Sequence, residues 1–284
     1  MRSKLFVPAS RPELFEKAMK SMADSISFDL EDAVVPEAKE SARHTLAAYL
    51  RGADFQKKEK KIIVRINAAD TPYFQDDLRV LAGAPVDILN VPKLECADDV
   101  RHAVTAVEAA GFADTDVALL ANIETPRALR LAAEIAAAHP RVCGLQLGLA
   151  DLFEPYGIAR YEAGTLRQVM LALRLAAGEC GKYALDGAYA RAADTQGFRD
   201  EALLARSLGL MGKSCIHPNQ IAIANEVFGP SAQDIEHAAR VMQASRRNAG
   251  AGAFLLDGQM IDAPFVKRAR ETLRLAGLDP DVDQ

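Results

Sequence analysis

Eight short apolar runs of β character recur along the chain, and helical segments alternate with them. The runs are Lys4–Val7, Ser25–Leu30, Ile62–Ile66, Ile88–Val91, Ala118–Ile123, Val142–Leu147, Tyr183–Leu185 and Lys213–Ile216. The segments between them include Pro12–Met22, Glu37–Leu50, Ala97–Ala110, Pro126–Ala138, Thr165–Cys180 and Phe198–Leu208. They carry apolar residues at helical spacing. Strands separated by helices pair in parallel through crossover connections. Eight such units predict an α/β fold of the closed (β/α)8 TIM-barrel class, which takes about 250 residues. The competing open doubly wound sheet usually carries a glycine-rich phosphate turn. No G-x-G-x-x-G or Walker pattern occurs in this chain.

Helix starts agree with this segmentation. Ser10-Arg-Pro-Glu13 reads as a capping box, and Thr125-Pro126 and Ser231-Ala-Gln-Asp234 mark later starts. The barrel is expected over residues 1–230, and residues 231–284 are expected to form a C-terminal helical lid or tail. That tail reads as a helix near Ser231–Arg247, a hinge at Asn248–Ala253, an apolar run Phe254–Pro264 and a final helix. A glycine-containing hinge before a fresh apolar run is the pattern of a lid. It fits a plain packing helix equally well.

Composition narrows the function classes. A chain of 284 residues that is 50% apolar can bury a full core. With 34 basic and 39 acidic side chains the net charge is -5, without the basic footprint of a nucleic-acid binder. Cys96, Cys143, Cys180 and Cys215 form no C-x-x-C pair, which argues for reduced thiols in the cytoplasm rather than disulfides or zinc. No run reaches transmembrane length, so neither membrane nor nucleic acid is expected as a partner.

In a barrel the chemistry sits at the C-terminal ends of the strands. Those ends carry Asp29, Glu31 and Asp32, then Arg65 and Asn67, Lys93, Glu124, Asp151, Asp186 and His217. Charges at the ends of apolar strands are costly unless paired or bound to metal. Two carboxylates from different strands, with waters, suit an oxygen-seeking Mg²⁺. Glu124 and Asp151 are the expected ligands, with Asp29, Glu31 and Asp32 as an outer shell holding the metal's waters. The bland alternatives are helix caps for Asp151 and Asp32, and an ion pair with Glu31 for Arg65. His217 reads as a general base or a turn histidine. Lys213 reads as a lower-ranked Schiff-base candidate, and Cys215 as core.

Taken in order, Leu5-Phe-Val-Pro8 with Arg11-Pro12, Asp29-Leu-Glu-Asp-Ala-Val34, Val64-Arg-Ile-Asn67, Pro92-Lys93, Ile123-Glu-Thr125, Gly148-x-x-Asp151-Leu152 and Gly212-Lys-x-x-Ile-His-Pro218 resemble the citrate lyase β-subunit group of the HpcH/HpaI aldolase superfamily. The run Leu256-Asp-Gly-Gln-Met-Ile-Asp262-Ala-Pro264 resembles the lid of malyl-CoA and citramalyl-CoA lyases. The resemblance implies a Mg²⁺-dependent carbon–carbon lyase acting on a 3-hydroxyacyl-CoA thioester such as citramalyl-CoA, malyl-CoA or citryl-CoA. Its products are acetyl-CoA and a 2-oxo acid. By the same resemblance Glu124 and Asp151 hold the metal, and Glu124 also touches substrate. Arg65 binds substrate and stabilises the enolate oxygen. Asp262 crosses into a neighbouring subunit as acid/base, in a homotrimer or hexamer. A malyl-CoA-type thioesterase, a CoA-independent pyruvate aldolase and a subunit of a citrate lyase complex are the alternatives. Ala150, just before Asp151, departs from an acidic residue common at that position.

Overall fold

The structure is a computed structural model that describes residues 1–248 and 252–281. Strands β1 (Ser3–Pro8), β2 (Ser25–Asp29), β3 (Lys61–Arg65), β4 (Ile88–Val91), β5 (Ala118–Ile123), β6 (Val142–Leu147), β7 (Tyr183–Ala188) and β8 (Gly212–Cys215) form a closed barrel in chain order. Every pairing is parallel, and β8 returns to β1 with Ser3 opposite Lys213. The helices between them are α1 (Phe15–Lys20), α2 (Lys39–Arg51), α3 (Phe74–Leu81), α4 (Ala97–Val107), α5 (Pro126–Arg130), α6 (Ala132–Ala137), α7 (Leu149–Phe153), α8 (Ala163–Glu179) and α9 (Thr195–Ser207). Then α10 (Pro218–Phe228) follows β8. The eight expected strands are all present, β4, β5 and β6 with the expected bounds and the others with ends shifted by at most three residues. Their alternation with helices is what forces the parallel closure.

Two local expectations differ. The Pro126–Ala138 helix is broken at Leu131, whose backbone (φ -103, ψ 15) leaves the helical region and separates α5 from α6. Ser10 makes no capping box: Pro12 opens a short 3-10 turn led by Arg11, Glu13 pairs with Arg11, and the Ser10 hydroxyl reaches the Ala33 carbonyl. Thr125 does cap, accepting from the Ala128 N–H at 3.1 Å.

The chain forms two compact units, Met1–Asn225 and Glu226–Gln284. In the second unit, α11 (Ala232–Arg247) and α12 (Ala263–Leu275) enclose a core of Ala238, Val241, Met242, Ile261, Ala269 and Leu273. Ser231 and Asp234 form the expected capping box at the start of α11. The apolar run after the expected hinge, however, is neither helix nor plain tail. It is an antiparallel hairpin of β9 (Ala253–Leu256) and β10 (Gln259–Asp262), with Leu255 opposite Met260. Asp257 and Gly258 at its turn both have positive φ (52 and 79), the geometry that suits the right-handed twist of two-residue hairpins. Residues 249–251 of the expected hinge lie outside the described residues.

Inside the barrel the side chains are layered. Ile63, Ile88, Leu120 and Leu185 close the lumen with an apolar plug. Polar residues form a further layer: Lys4, on β1, bonds to Asn90 of β4 and Gln146 of β6, strands not adjacent to β1, so these groups meet in the lumen. Asp29 and Arg65, which end β2 and β3, and Glu124, which follows β5, lie at the C-terminal mouth. Among the described residues no helix is long and apolar enough to cross a membrane.

Candidate active site

Arg65 ends β3 and stands in register with Asp29, which ends β2. Its guanidinium grips that carboxylate as a fork, Nε to Oδ1 at 2.8 Å and Nη2 to Oδ2 at 2.6 Å. Nη1 lies 2.9 Å from Glu31 Oε2 and 3.3 Å from Asp32. Burial opposes the Arg65 charge, but the Asp29 hydrogen bonds and the three carboxylates outweigh it and raise its pKa. Arg65 is therefore a permanent, geometrically fixed cation.

The acidic turn is built to hold this pair. Asp29 also accepts from the Glu31 N–H at 3.0 Å and the Ala33 N–H at 3.2 Å. Lys39 donates to the carbonyls of Leu30 and Glu31, both at 2.9 Å, and Asn67 donates to Leu30 at 3.1 Å. Asp29 is thus committed to Arg65 and to the turn. Glu31 differs. Both its oxygens are buried and lack an aligned hydrogen-bond donor, although Arg65 and Lys93 (Nζ 3.5 Å) supply charge nearby. Burial pushes its carboxyl up to about 7 against the pull of Arg65. Asp32 is largely exposed.

Glu124 follows β5 and is only 2% exposed. Lys93 sits in the left-handed region (φ 55), a strained conformation for a residue with a side chain. That backbone aims the Lys93 N–H at Glu124 Oε1, 2.7 Å away. Glu124 Oε2 accepts from Asn122 at 3.3 Å. Burial raises the Glu124 pKa and the charge of Asp151 adds to it, while the Lys93 N–H and Arg65 oppose. Asp151 lies exposed in the first turn of α7.

Among the described residues no group of three or more His, Cys, Asp or Glu is placed to hold a metal ion. The carboxylate pair nevertheless fits a hard divalent cation that keeps several waters. Each Glu124 oxygen accepts one protein hydrogen and retains a lone pair. Gly148 leaves open the space beside them: a Cβ there would stand 2.5 Å from Glu124 Cβ and 2.6 Å from Oε2. Gly148→Ala is therefore expected to displace Glu124 and to reduce turnover by at least about tenfold, the scale of a lost outer-shell partner. The thermal melt should shift far less than the rate. Steady-state kinetics beside a melting curve checks this, and unchanged kinetics would exclude the steric argument.

Other sequence candidates find different places. Lys213 is fully buried, and its amine is taken by Asp186 (2.5 Å), Glu201 (2.7 Å) and the Gly187 carbonyl (3.1 Å). That is an ion network against α9, with Arg160 also on Glu201 at 2.8 Å. Such a saturated amine is no Schiff-base nucleophile. His217 is an exposed turn residue whose Nδ1 accepts from Asn219 at 3.3 Å. Cys215 is buried core, and burial pushes its thiol up to about 12. Asp262 begins α12 but makes no capping bond, and its Oδ1 is buried without a partner. It lines a cavity of about 420 Å³ within the second unit, with Lys267 and Arg270.

A family model described as HpcH/HpaI aldolase/citrate lyase matches residues 2–218. The chain belongs to the HpcH/HpaI aldolase/citrate lyase family. The matched segment contains all eight barrel strands and Asp29, Arg65, Glu124 and Asp151. Relatives within the family differ in reaction. The chain is 37% identical to citrate lyase subunit beta of Haemophilus influenzae, over 97% of this chain and 96% of that one. It is also 37% identical to a (3S)-malyl-CoA thioesterase of Cereibacter sphaeroides, over 97% and 94%. Its fold is similar to that of Mycobacterium tuberculosis CitE, solved in complex with magnesium, acetoacetate and coenzyme A. That match has a TM-score of 0.78 and 34% identity, and covers 98% of this chain and all of the other.

The sequence reading missed four contributors: the Lys93 main chain, Gly148 as a spacer, Lys39 as a clamp, and the polar lumen of Lys4, Asn90, Asn122 and Gln146. For the last the signal was present. Asn90, Asn122 and Gln146 are single polar residues inside otherwise apolar strands, and such a residue is buried only with a partner.

Proposed function

We propose that this chain is a Mg²⁺-dependent carbon–carbon lyase that cleaves or forms a 3-hydroxyacyl-CoA thioester, with acetyl-CoA and a 2-oxo acid as the other side of the reaction. The observation that carries the reading is the barrel mouth. There a buried Glu124 with open lone pairs, joined by Asp151, faces the same space as a permanently charged Arg65. That the similar CitE is solved with magnesium, acetoacetate and coenzyme A supports magnesium and a CoA compound as ligands here. When bound, Mg²⁺ supplies Lewis acidity and a template for the carboxylate and adjacent oxygen of the 2-oxo acid half.

The chain's own residues do the rest. Glu124 and Asp151 hold the cation, and the local excess of carboxylates offsets its charge. Arg65 receives the thioester oxygen. Cleavage removes the proton of the 3-hydroxyl to the carboxylate cluster, and the C2–C3 bonding pair moves into the thioester as its enolate. Arg65 stabilises that oxygen because it is preorganised by Asp29 and need not reorient. Asp262 of a neighbouring copy, in a trimer or hexamer, relays a proton from solvent to the acetyl carbon, and the proton left on the carboxylate cluster returns to solvent, so the cycle balances. The uncapped, partnerless Oδ1 of Asp262 and the exposed Leu255 and Met260 on the same hairpin face support that role.

A groove of about 970 Å³ in the first unit runs from Phe6 and Pro8 along α1 to His217 and Pro218. Phe6 packs 5.1 Å under the Arg65 guanidinium, so the groove adjoins the mouth. The groove receives the pantetheine arm, with Glu13, Glu16, Lys17 and Lys20 among its lining residues. A CoA ester as substrate supports a cytoplasmic site of action.

The thioesterase relative makes one alternative specific. The deciding experiment incubates the protein with Mg²⁺ and citramalyl-CoA, malyl-CoA or citryl-CoA and separates the products. Acetyl-CoA with an equal amount of 2-oxo acid is expected. Free CoA without acetyl-CoA identifies a thioesterase, and no turnover of any free CoA ester overturns the free-standing lyase.

A further inference from the structure

We infer that Lys4, Asn90 and Asn122 are positioning residues that orient the Glu124 carboxylate through a one-way hydrogen-bond relay across the barrel lumen. The inference rests on the reading of Glu124 as a metal ligand. Lys4 Nζ donates to Asn90 Oδ1 at 2.8 Å, Asn90 Nδ2 donates to Asn122 Oδ1 at 2.8 Å, and Asn122 Nδ2 donates to Glu124 Oε2 at 3.3 Å. Lys4 and Asn90 are fully buried and Asn122 and Glu124 are 2% exposed, so water does not compete for these groups.

The chemistry of the members sets the direction. A backbone carbonyl only accepts, whereas a side-chain amide has one end of each kind. Beside the Leu120 carbonyl and a Lys4 amine that donates in either protonation state, Asn90 must therefore turn its oxygen to Lys4. Its nitrogen then faces two acceptors, Asn122 Oδ1 and the Leu120 carbonyl at 3.0 Å, which fixes it from both sides. Asn122 has its oxygen occupied and can offer Glu124 only its nitrogen. The carboxylate thus meets a donor at Oε2 from Asn122 and a donor at Oε1 from Lys93. It is pinned in rotation with a lone pair left on each oxygen.

Lys4 has a second amide acceptor, Gln146 Oε1 at 2.6 Å, and its amine lies 4.2 Å from the Phe6 ring centroid. A lysine here is expensive. Burial first, and then Arg65, push its pKa well below the usual lysine range. An apolar side chain would fill the lumen at less cost. What it would lose is the donor that heads the relay.

The test uses the full chain and Mn²⁺ as the probe, with free Mn²⁺ followed by electron paramagnetic resonance in the absence of substrate. Lys4→Met and Asn122→Leu are expected to weaken Mn²⁺ binding by about tenfold or more, the scale of an outer-shell partner. Lys4→Gln keeps two donor hydrogens for Asn90 and Gln146 and is expected to retain wild-type affinity. Melting curves accompany each titration. A lysine that serves stability alone lowers the melt in Lys4→Met without moving the Mn²⁺ affinity, and that result overturns the inference. So does equal loss of affinity in Lys4→Gln and Lys4→Met. If Lys4→Met does not fold, Asn122→Leu decides, and wild-type affinity in it overturns the relay. If the wild-type chain binds no Mn²⁺, the metal reading of Glu124 fails, and the relay falls with it.

Discussion

Glu124→Gln is expected to abolish measurable turnover and to weaken Mn²⁺ binding beyond the roughly 10- to 100-fold typical of outer-shell partners. Loss of charge is one reason, since a hard divalent cation favours anionic oxygen. The second is geometric. The two side-chain oxygens each face a donor, the Lys93 N–H at 2.7 Å and the Asn122 amide at 3.3 Å. A glutamine carries one oxygen and one NH₂ group, so in either orientation its nitrogen confronts a donor. The buried amide will therefore rotate or push Asn122 away, and the ligand position is lost along with the charge. Asp151→Asn is exposed and free to rotate, so its loss should be smaller. Kinetics and Mn²⁺ titration on both variants check the ordering, and near-normal turnover in Glu124→Gln would remove Glu124 from the site.

Arg65→Lys should lower kcat by about 10²- to 10³-fold, the scale of a lost oxyanion donor, while KM changes less. Lysine keeps the charge, so the acidic turn does not lose its neutralising cation. It cannot reproduce the fork: Arg65 meets both Asp29 oxygens and still directs Nη1 toward Glu31. A single ammonium makes one of these contacts well and surrenders the fixed direction of the rest. Arg65→Met removes the charge as well, leaves Asp29 buried without its ion-pair partner and leaves Glu31 with Lys93 alone, a loss on the order of 3–5 kcal/mol of stability. Comparing the two variants separates the catalytic effect from the structural one. Near-normal turnover in Arg65→Lys would exclude the oxyanion role.

How far the site could be seen in the chain depends on what each residue's signal is made of. Arg65 and Glu124 are charges next to apolar strands, and the cost of burying a charge makes them conspicuous at once. Asp29, Glu31 and Asp32 were equally visible but not distinguishable. Only the register of β2 with β3 commits Asp29 to Arg65 and leaves Glu31 with open lone pairs. The Asp257-Gly258 dipeptide between alternating residues was a hairpin signal that the apolar run obscured. Lys93 gave no signal of its main-chain role, because that role is a positive φ imposed by the neighbouring loop. Lys213 shows the opposite failure. A lysine on a barrel strand reads as a nucleophile until its neighbours are known, and Asp186 and Glu201 then occupy it.

The chain alone determined the architecture, because strand and helix periods are local and their alternation admits parallel closure. It also determined which charged residues stand at the strand ends, because a strand's direction decides which end is the mouth. The tertiary structure decided everything that depends on closing the ring. Closure brings β1, β4, β5 and β6 around one lumen, so Lys4, Asn90, Asn122 and Gln146, up to 142 positions apart, come within hydrogen-bond distance. No local pattern encodes such a contact. Its energy comes from burial, and burial exists only once the barrel has closed.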